Sequence, residues 1–110
     1  MEQHERELAK RFRDALDGLV GSRLARVRAF GSRARGTARP DSDLDLLVLL
    51  TGEVDRPTRH SVYDLAYDLS AEDGFLVPLA PLVMSVGDFE ELQKRERRLA
   101  RDITEQGVEV

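Results

Sequence analysis

Cysteine is absent from this 110-residue chain. Disulfides, thiolate zinc sites and a cysteine nucleophile are therefore excluded. Histidine occurs only at positions 4 and 60, too little for a His-based metal cluster. No apolar run approaches the roughly 18 residues that would suggest a membrane span. The opening residues Met1 to Glu7 are charged and lack the apolar centre of a signal peptide. A cytoplasmic protein with no membrane partner is expected. A net charge of −4 also argues against direct nucleic-acid binding through overall charge, which needs many cations to neutralise phosphates.

What remains is ordinary for a soluble domain: 41% apolar and 35% charged residues, enough for one core without cross-links. A single domain over residues 1–110 is expected, since no second domain fits. The charge is unevenly spread. From Gly21 to Pro40 there are arginines at 23, 26, 28, 33, 35 and 39 and no acid, and then Asp41, Asp43 and Asp45 follow within five residues. A small anionic ligand held beside a metal would suit that polarity.

Apolar periodicity outlines the elements. Leu8, Phe12, Ala15, Leu16 and Leu19 predict an amphipathic helix over 3–19 that Gly21 ends. Residues 24–30 read as a strand with Arg26 and Arg28 on one face and Ala25, Val27 and Ala29 on the other. The arginine face would meet solvent or a partner. Gly31 to Gly36 reads as a turn opening a short helix, and Pro40-Asp41-Ser42 as a second turn. The uninterrupted run Leu46 to Leu50 predicts a central strand covered on both sides. Val62, Leu65, Ala66 and Leu69 mark a further helix ended by Asp73-Gly74. Residues 75–84 read as an irregular or edge strand, because Pro78 and Pro81 cannot donate to a ladder. Ser85 and Asp88 resemble a helix start, and Phe89, Leu92, Leu99 and Ile103 mark one last helix ending near Gly107.

The chemistry concentrates between Gly31 and Asp45. Asp43 and Asp45 are two apart at a strand start, so their carboxylates share a face. Side by side they repel unless a cation joins them, and a hard divalent ion such as Mg²⁺ suits the pair. Upstream, Gly31-Ser32 enters a short helix whose free N–H groups suit a phosphate, with Arg33 or Arg35 adding charge. Together these parts would hold a nucleoside triphosphate for in-line transfer of a nucleotide to a hydroxyl. Two other readings fail. An EF-hand loop starting at Asp41 would have Leu46 where Gly is needed and Gly52 where Glu is needed, and no Walker A Gly-Lys-Ser/Thr is present.

Gly31-Ser32-Arg33-Ala34-Arg35-Gly36 followed by Asp41-Ser42-Asp43-Leu44-Asp45-Leu46 resembles the signature of the DNA polymerase beta-like nucleotidyltransferase superfamily, and its minimal nucleotidyltransferases in particular. The resemblance implies a single α/β (α+β) domain of αβαβαβα order, with a small mixed sheet flanked by helices. It implies that Gly31 and Ser32, assisted by Arg33 and Arg35, contact the triphosphate of ATP while Asp43 and Asp45 bind Mg²⁺ and act catalytically. It further implies a HEPN-domain toxin as partner, encoded by an adjacent gene, with this chain as antitoxin transferring AMP to a partner tyrosine. An assembly with that partner or with further copies of itself would follow.

The family's third acid belongs on the strand expected over 75–84, which has none. Asp73 and Asp88 flank that strand, with helix-ending and helix-starting roles. The departure makes a second reading pertinent, a catalytically weak or inactive relative that neutralises its partner by binding. A third, modification of a small molecule, lacks the added helical domain that would wall an acceptor pocket. Tyr63 and Tyr67 read as packing at a helix edge, His60 as surface, and the basic series Lys94, Arg95, Arg97, Arg98 and Arg101 as a solvated face.

Overall fold

Leu8, Ala9, Phe12 and Leu16 form the buried side of α1 (Gln3–Val20) in the computed structural model, which describes all 110 residues. Glu2 and Glu5 cap its first turn reciprocally, the Glu5 carboxylate accepting the Glu2 N–H at 2.7 Å. After a 3₁₀ turn (Gly21–Arg23) come β1 (Leu24–Phe30), α2 (Gly31–Arg35), β2 (Leu44–Leu50) and α3 (Arg56–Glu72). The chain continues through β3 (Leu79–Ser85), α4 (Val86–Arg95), α5 (Arg97–Glu105) and β4 (Val108–Glu109). The strands form one mixed sheet in the order β3-β2-β1-β4. β2 runs parallel to β3, and β1 is antiparallel to both β2 and β4.

The pleat of β2 divides the core. Leu44, Leu46, Val48 and Leu50 turn toward α1 and α3, packing with Phe12, Leu16, Val62 and Ala66. Leu47 and Leu49 turn the other way, against Phe89 of α4 and Ile103 of α5. Helices therefore cover both faces, which is why β2 tolerates no polar residue after Asp45. The α+β architecture with a small mixed sheet agrees with the sequence reading. No helix is long and apolar enough to cross a membrane.

Three boundaries differ from expectation. The last helix is two helices, because the chain leaves helical geometry at Glu96 (φ −116°, ψ 65°) and restarts at once. The strand expected from residue 75 begins at Leu79. Before it, Gly74 and Phe75 both take positive φ while their N–H groups close the end of α3 onto the Ala71 and Ser70 carbonyls. β3 lies at the sheet edge, where Pro81 costs no ladder bond. The short strand β4 was not anticipated. It seats against Ala29 and Arg28 only because Gly107 precedes it, where a Cβ would lie 2.9 Å from the Ala29 carbonyl oxygen.

The arginine face of β1 is accordingly not open along its length. Arg28 donates to the carbonyls of Ile103 (3.0 Å) and Gly107 (2.9 Å) at the end of α5, and pairs with Glu109 at 2.7 Å. A cation there satisfies carbonyls that a helix end leaves unpaired.

Candidate active site

Phe30, the last residue of β1, pairs with Asp45 near the start of β2. The chain then turns at once into α2, so the first residue of that helix stands over the Asp45 side chain. Gly31 has φ +76°, and a Cβ built on it would overlap Asp45 Oδ2 and lie 3.3 Å from Asp45 Cγ. Two independent constraints thus select glycine: a left-handed backbone and the absence of room beside the carboxylate. Ser32 follows, half-buried, and its carbonyl accepts the Thr37 N–H at 2.9 Å. Gly31, Ser32 and Asp45 are consequently one cluster, with exposed Asp43 preceding the strand on the Asp45 side.

Asp45 is half-buried, and its carboxyl is held above the ordinary aspartate range. Burial contributes most, followed by the negative charges of Asp43 and Asp102, with Arg35 opposing. No third His, Asp or Glu joins the pair closely enough to make an all-protein metal site. Such a two-carboxylate donor set still fits Mg²⁺, which keeps waters and takes further oxygens from substrate phosphates.

The two arginines expected beside the phosphate turn have different surroundings. The Arg33 side chain is 10% exposed and its guanidinium is fully engaged. It donates to the Ser42 carbonyl at 2.8 Å and the Pro40 carbonyl at 3.3 Å, and pairs with buried Glu5 at 3.0 Å. Arg33 therefore ties the loop before Asp43 to the start of α1. Arg35 lies at the other end of α2 and pairs with Asp102 of α5 at 2.8 Å, both groups keeping solvent contact.

On β3, Ala80 lies opposite Asp45 and Leu82 opposite Leu47, so Ala80, Leu82 and Met84 share the Asp45 face and carry no carboxylate. Asp73 is committed on the α1–α3 side of the sheet, where it pairs with His4 at 2.8 Å and accepts the Val77 N–H at 3.3 Å. Asp88 lies beyond the far end of β3, in the first turn of α4, and the strand alone carries the chain about 17 Å from Ala80 to Ser85 at 3.3 Å per residue. The nearest additional carboxylate to bear on Asp45 is that of Asp102, from α5. Sequence reasoning missed both Asp102 and Glu5. Asp102 stands between Leu99 and Ile103 at the border of the apolar stripe, and Glu5 occupies the third position of the α1 capping box, which are the only local signals they give.

The larger cavities lie beside the site, one of about 510 Å³ bordered by Glu5, Arg33 and Arg39 and one of about 530 Å³ bordered by Arg35 and Asp102. Neither has Ser32, Asp43 or Asp45 in its wall.

The profile of the nucleotidyltransferase domain matches residues 4–110. The chain belongs to the nucleotidyltransferase domain family. No curated protein matches it in sequence. Among solved structures, this nucleotidyltransferase domain resembles a toxin-antitoxin with AMP-PNP (TM-score 0.60, 22% identity, covering 96% of this chain and 70% of that one). It also resembles a chain of the tri-AMPylated Shewanella oneidensis HEPN toxin in complex with MNT antitoxin (TM-score 0.55, 16% identity, 96% and 70% covered). A mutant MntA-HpeT toxin-antitoxin gives a TM-score of 0.55 at 20% identity with the same coverage. At these identities the likenesses establish the fold of the nucleotidyltransferase domain and nothing finer.

Proposed function

We propose that residues 1–110 act as a minimal nucleotidyltransferase, transferring AMP from ATP to a tyrosine hydroxyl of a HEPN-type toxin and thereby serving as its antitoxin in the cytoplasm. The observation that carries this reading is the contact between Gly31 and Asp45, which joins a phosphate-type turn to a pair of carboxylates. Asp43 and Asp45 would hold Mg²⁺, which neutralises charge on the phosphates and polarises the α-phosphate. The backbone N–H groups and hydroxyl at Ser32 would bind the outer phosphates, and Gly31 would admit them without a side chain. Arg35, whose charge is felt at Asp45, would add charge once released from Asp102, and Arg33 positions the loop that carries Asp43.

In the step itself, the acceptor oxygen bonds to the α-phosphorus as the bond to the β-phosphate oxygen breaks. Pyrophosphate leaves and the hydroxyl proton passes to solvent or to a carboxylate at the site. Neither of the two larger cavities has Asp43 or Asp45 in its wall, which suits an acceptor delivered by another protein, since a small acceptor needs pocket walls. One structural neighbour is a chain from a complex of a tri-AMPylated HEPN toxin with an MNT antitoxin, which supports the choice of acceptor.

A second reading, neutralisation by contact alone, is favoured by one observation, the lack of a carboxylate at Ala80 or Leu82. Labelled ATP, Mg²⁺ and the HEPN partner distinguish the two. Label transfer abolished by Asp43→Asn and by Asp45→Asn supports the enzyme. No transfer, with the substituted proteins still neutralising the partner, leaves contact as the mechanism.

A further inference from the structure

Of the five large apolar or aromatic side chains that the fold leaves exposed, four lie between Tyr63 and Leu76. Tyr63 and Tyr67 stand one turn apart on α3, and the Tyr67 ring meets the Phe75 ring edge-on with 5.5 Å between centroids. Tyr67 is 64% exposed and Leu76 69%, so Tyr67 does not pack at a helix edge as its spacing suggested but belongs to a surface patch. The backbone beneath the patch is unusual as well. Phe75 is the one non-glycine residue with positive φ (+56°), a region that bulky side chains seldom adopt. Packing within the chain does not require an exposed aromatic held at that cost.

The patch adjoins the carboxylate pair. The Pro78 carbonyl accepts the N–H of Leu44, the residue after Asp43, at 2.8 Å. Leu76 is two residues from Pro78, a reach of about 7 Å, so the patch and the carboxylates share one end of the sheet. The adjacent β3 edge is ill-suited to strand addition. Its outward N–H at Leu79 is donated to Ser70 Oγ at 3.0 Å, Pro81 has none, and the Val83 carbonyl accepts from Arg59. A partner must therefore be met by side chains. Residues 61–76 include Asp64, Asp68, Glu72 and Asp73 but no Lys or Arg. Asp68, beside Tyr67, is exposed and takes part in no ion pair, and Asp64 meets only His60 at 3.6 Å. Two copies joined symmetrically through the patch would bring these acids together, whereas an apolar surface ringed by Lys and Arg complements them.

We propose that Tyr63, Tyr67, Phe75 and Leu76 dock the protein that carries the acceptor hydroxyl, through an apolar surface of that partner ringed by Lys or Arg. The inference rests on the nucleotidyltransferase reading above and adds to it the surface that delivers the acceptor.

Calorimetric titration of the full chain with the separately purified HEPN-type partner tests this. Tyr67→Ala/Leu76→Ala, altered only at exposed positions, should weaken partner binding by at least about tenfold while Mg²⁺-ATP affinity stays at the wild-type value. Asp64→Lys/Asp68→Lys should also weaken partner binding. Phe75→Gly, which suits the left-handed backbone, should lose partner affinity without lowering Tm. Unchanged partner affinity in either double variant overturns the dock. So does a wild-type dimer in sedimentation that Tyr67→Ala/Leu76→Ala dissolves, which gives the patch to a second copy. Failure of the underlying reading has another signature: a partner that binds through the patch yet takes no label from ATP removes the transfer and leaves the dock standing. A wild type that does not bind the partner removes both.

Discussion

The Cα of Gly31 lies directly against the carboxylate of Asp45, so the first residue of the proposed phosphate turn meets the second aspartate of the proposed metal pair. A methyl group at position 31 would have to displace that carboxylate while the backbone stayed at φ +76°. Gly31→Ala is therefore expected to lose about 1–2 kcal/mol from the left-handed backbone alone, with crowding adding to it. Urea unfolding measures the loss, and Mg²⁺-dependent ATP binding should fall with it because Asp45 is pushed aside.

Asp45 carries a stability signature of its own. Because burial and its acidic neighbours raise its pKa in the folded state, the folded protein binds that proton more tightly than the unfolded chain. Stability from this group is thus greatest at low pH and declines as pH rises from the unfolded aspartate value through the raised folded one. Asp45→Asn removes the cost. Without metal at neutral pH it should raise Tm by about 1–4 °C, a modest gain because the group is only half-buried, and the gain should vanish near pH 3. Mg²⁺ should raise the wild-type Tm and leave that of the variant unmoved. A destabilised Asp45→Asn protein would contradict this assignment.

Glu5 and Arg33 form a buried ion pair that holds the start of α1, α2 and the loop before Asp43 together. Removing either partner strands the other charge, at a cost of about 3–5 kcal/mol. Glu5→Gln and Arg33→Met should each destabilise by that order in urea unfolding. The double variant should cost well under the sum, because the same interaction is lost only once.

Ala80 faces the same side as Asp45 and lies opposite it in the parallel ladder. Ala80→Asp would put a third carboxylate beside the acceptor hydroxyl. If proton removal limits transfer, the rate should rise by about tenfold or more, at the lower end of what a positioned base provides or below it. Single-turnover transfer from labelled ATP measures the change, and a lower rate would mean that activation of the hydroxyl is not what limits the natural site.

Much of this was readable in the chain because it depends on near neighbours. Gly31-Ser32, Asp43 and Asp45 are close in sequence and one antiparallel strand pair brings them together, so their spacing already implied the cluster. Likewise the uniform apolar run of β2 announced cover on both faces. What escaped depends on distant partners. Arg33 cannot be known as a loop anchor without Glu5, 28 residues away, nor Asp102 as a neighbour of the site without Arg35, 67 residues away. The strand β4 has only Val108 and Glu109, too few for a pattern, and exists because β1 offers an edge. The division of the last helix at Glu96 has no glycine or proline to mark it.

The most direct test is the intact mass of the proposed HEPN partner, purified after co-expression with this chain. One added adenylyl group per modified tyrosine is expected with the wild type, and unmodified partner with Asp43→Asn or Asp45→Asn. Unmodified partner in every case, with the toxin still neutralised, would contradict the proposed transfer.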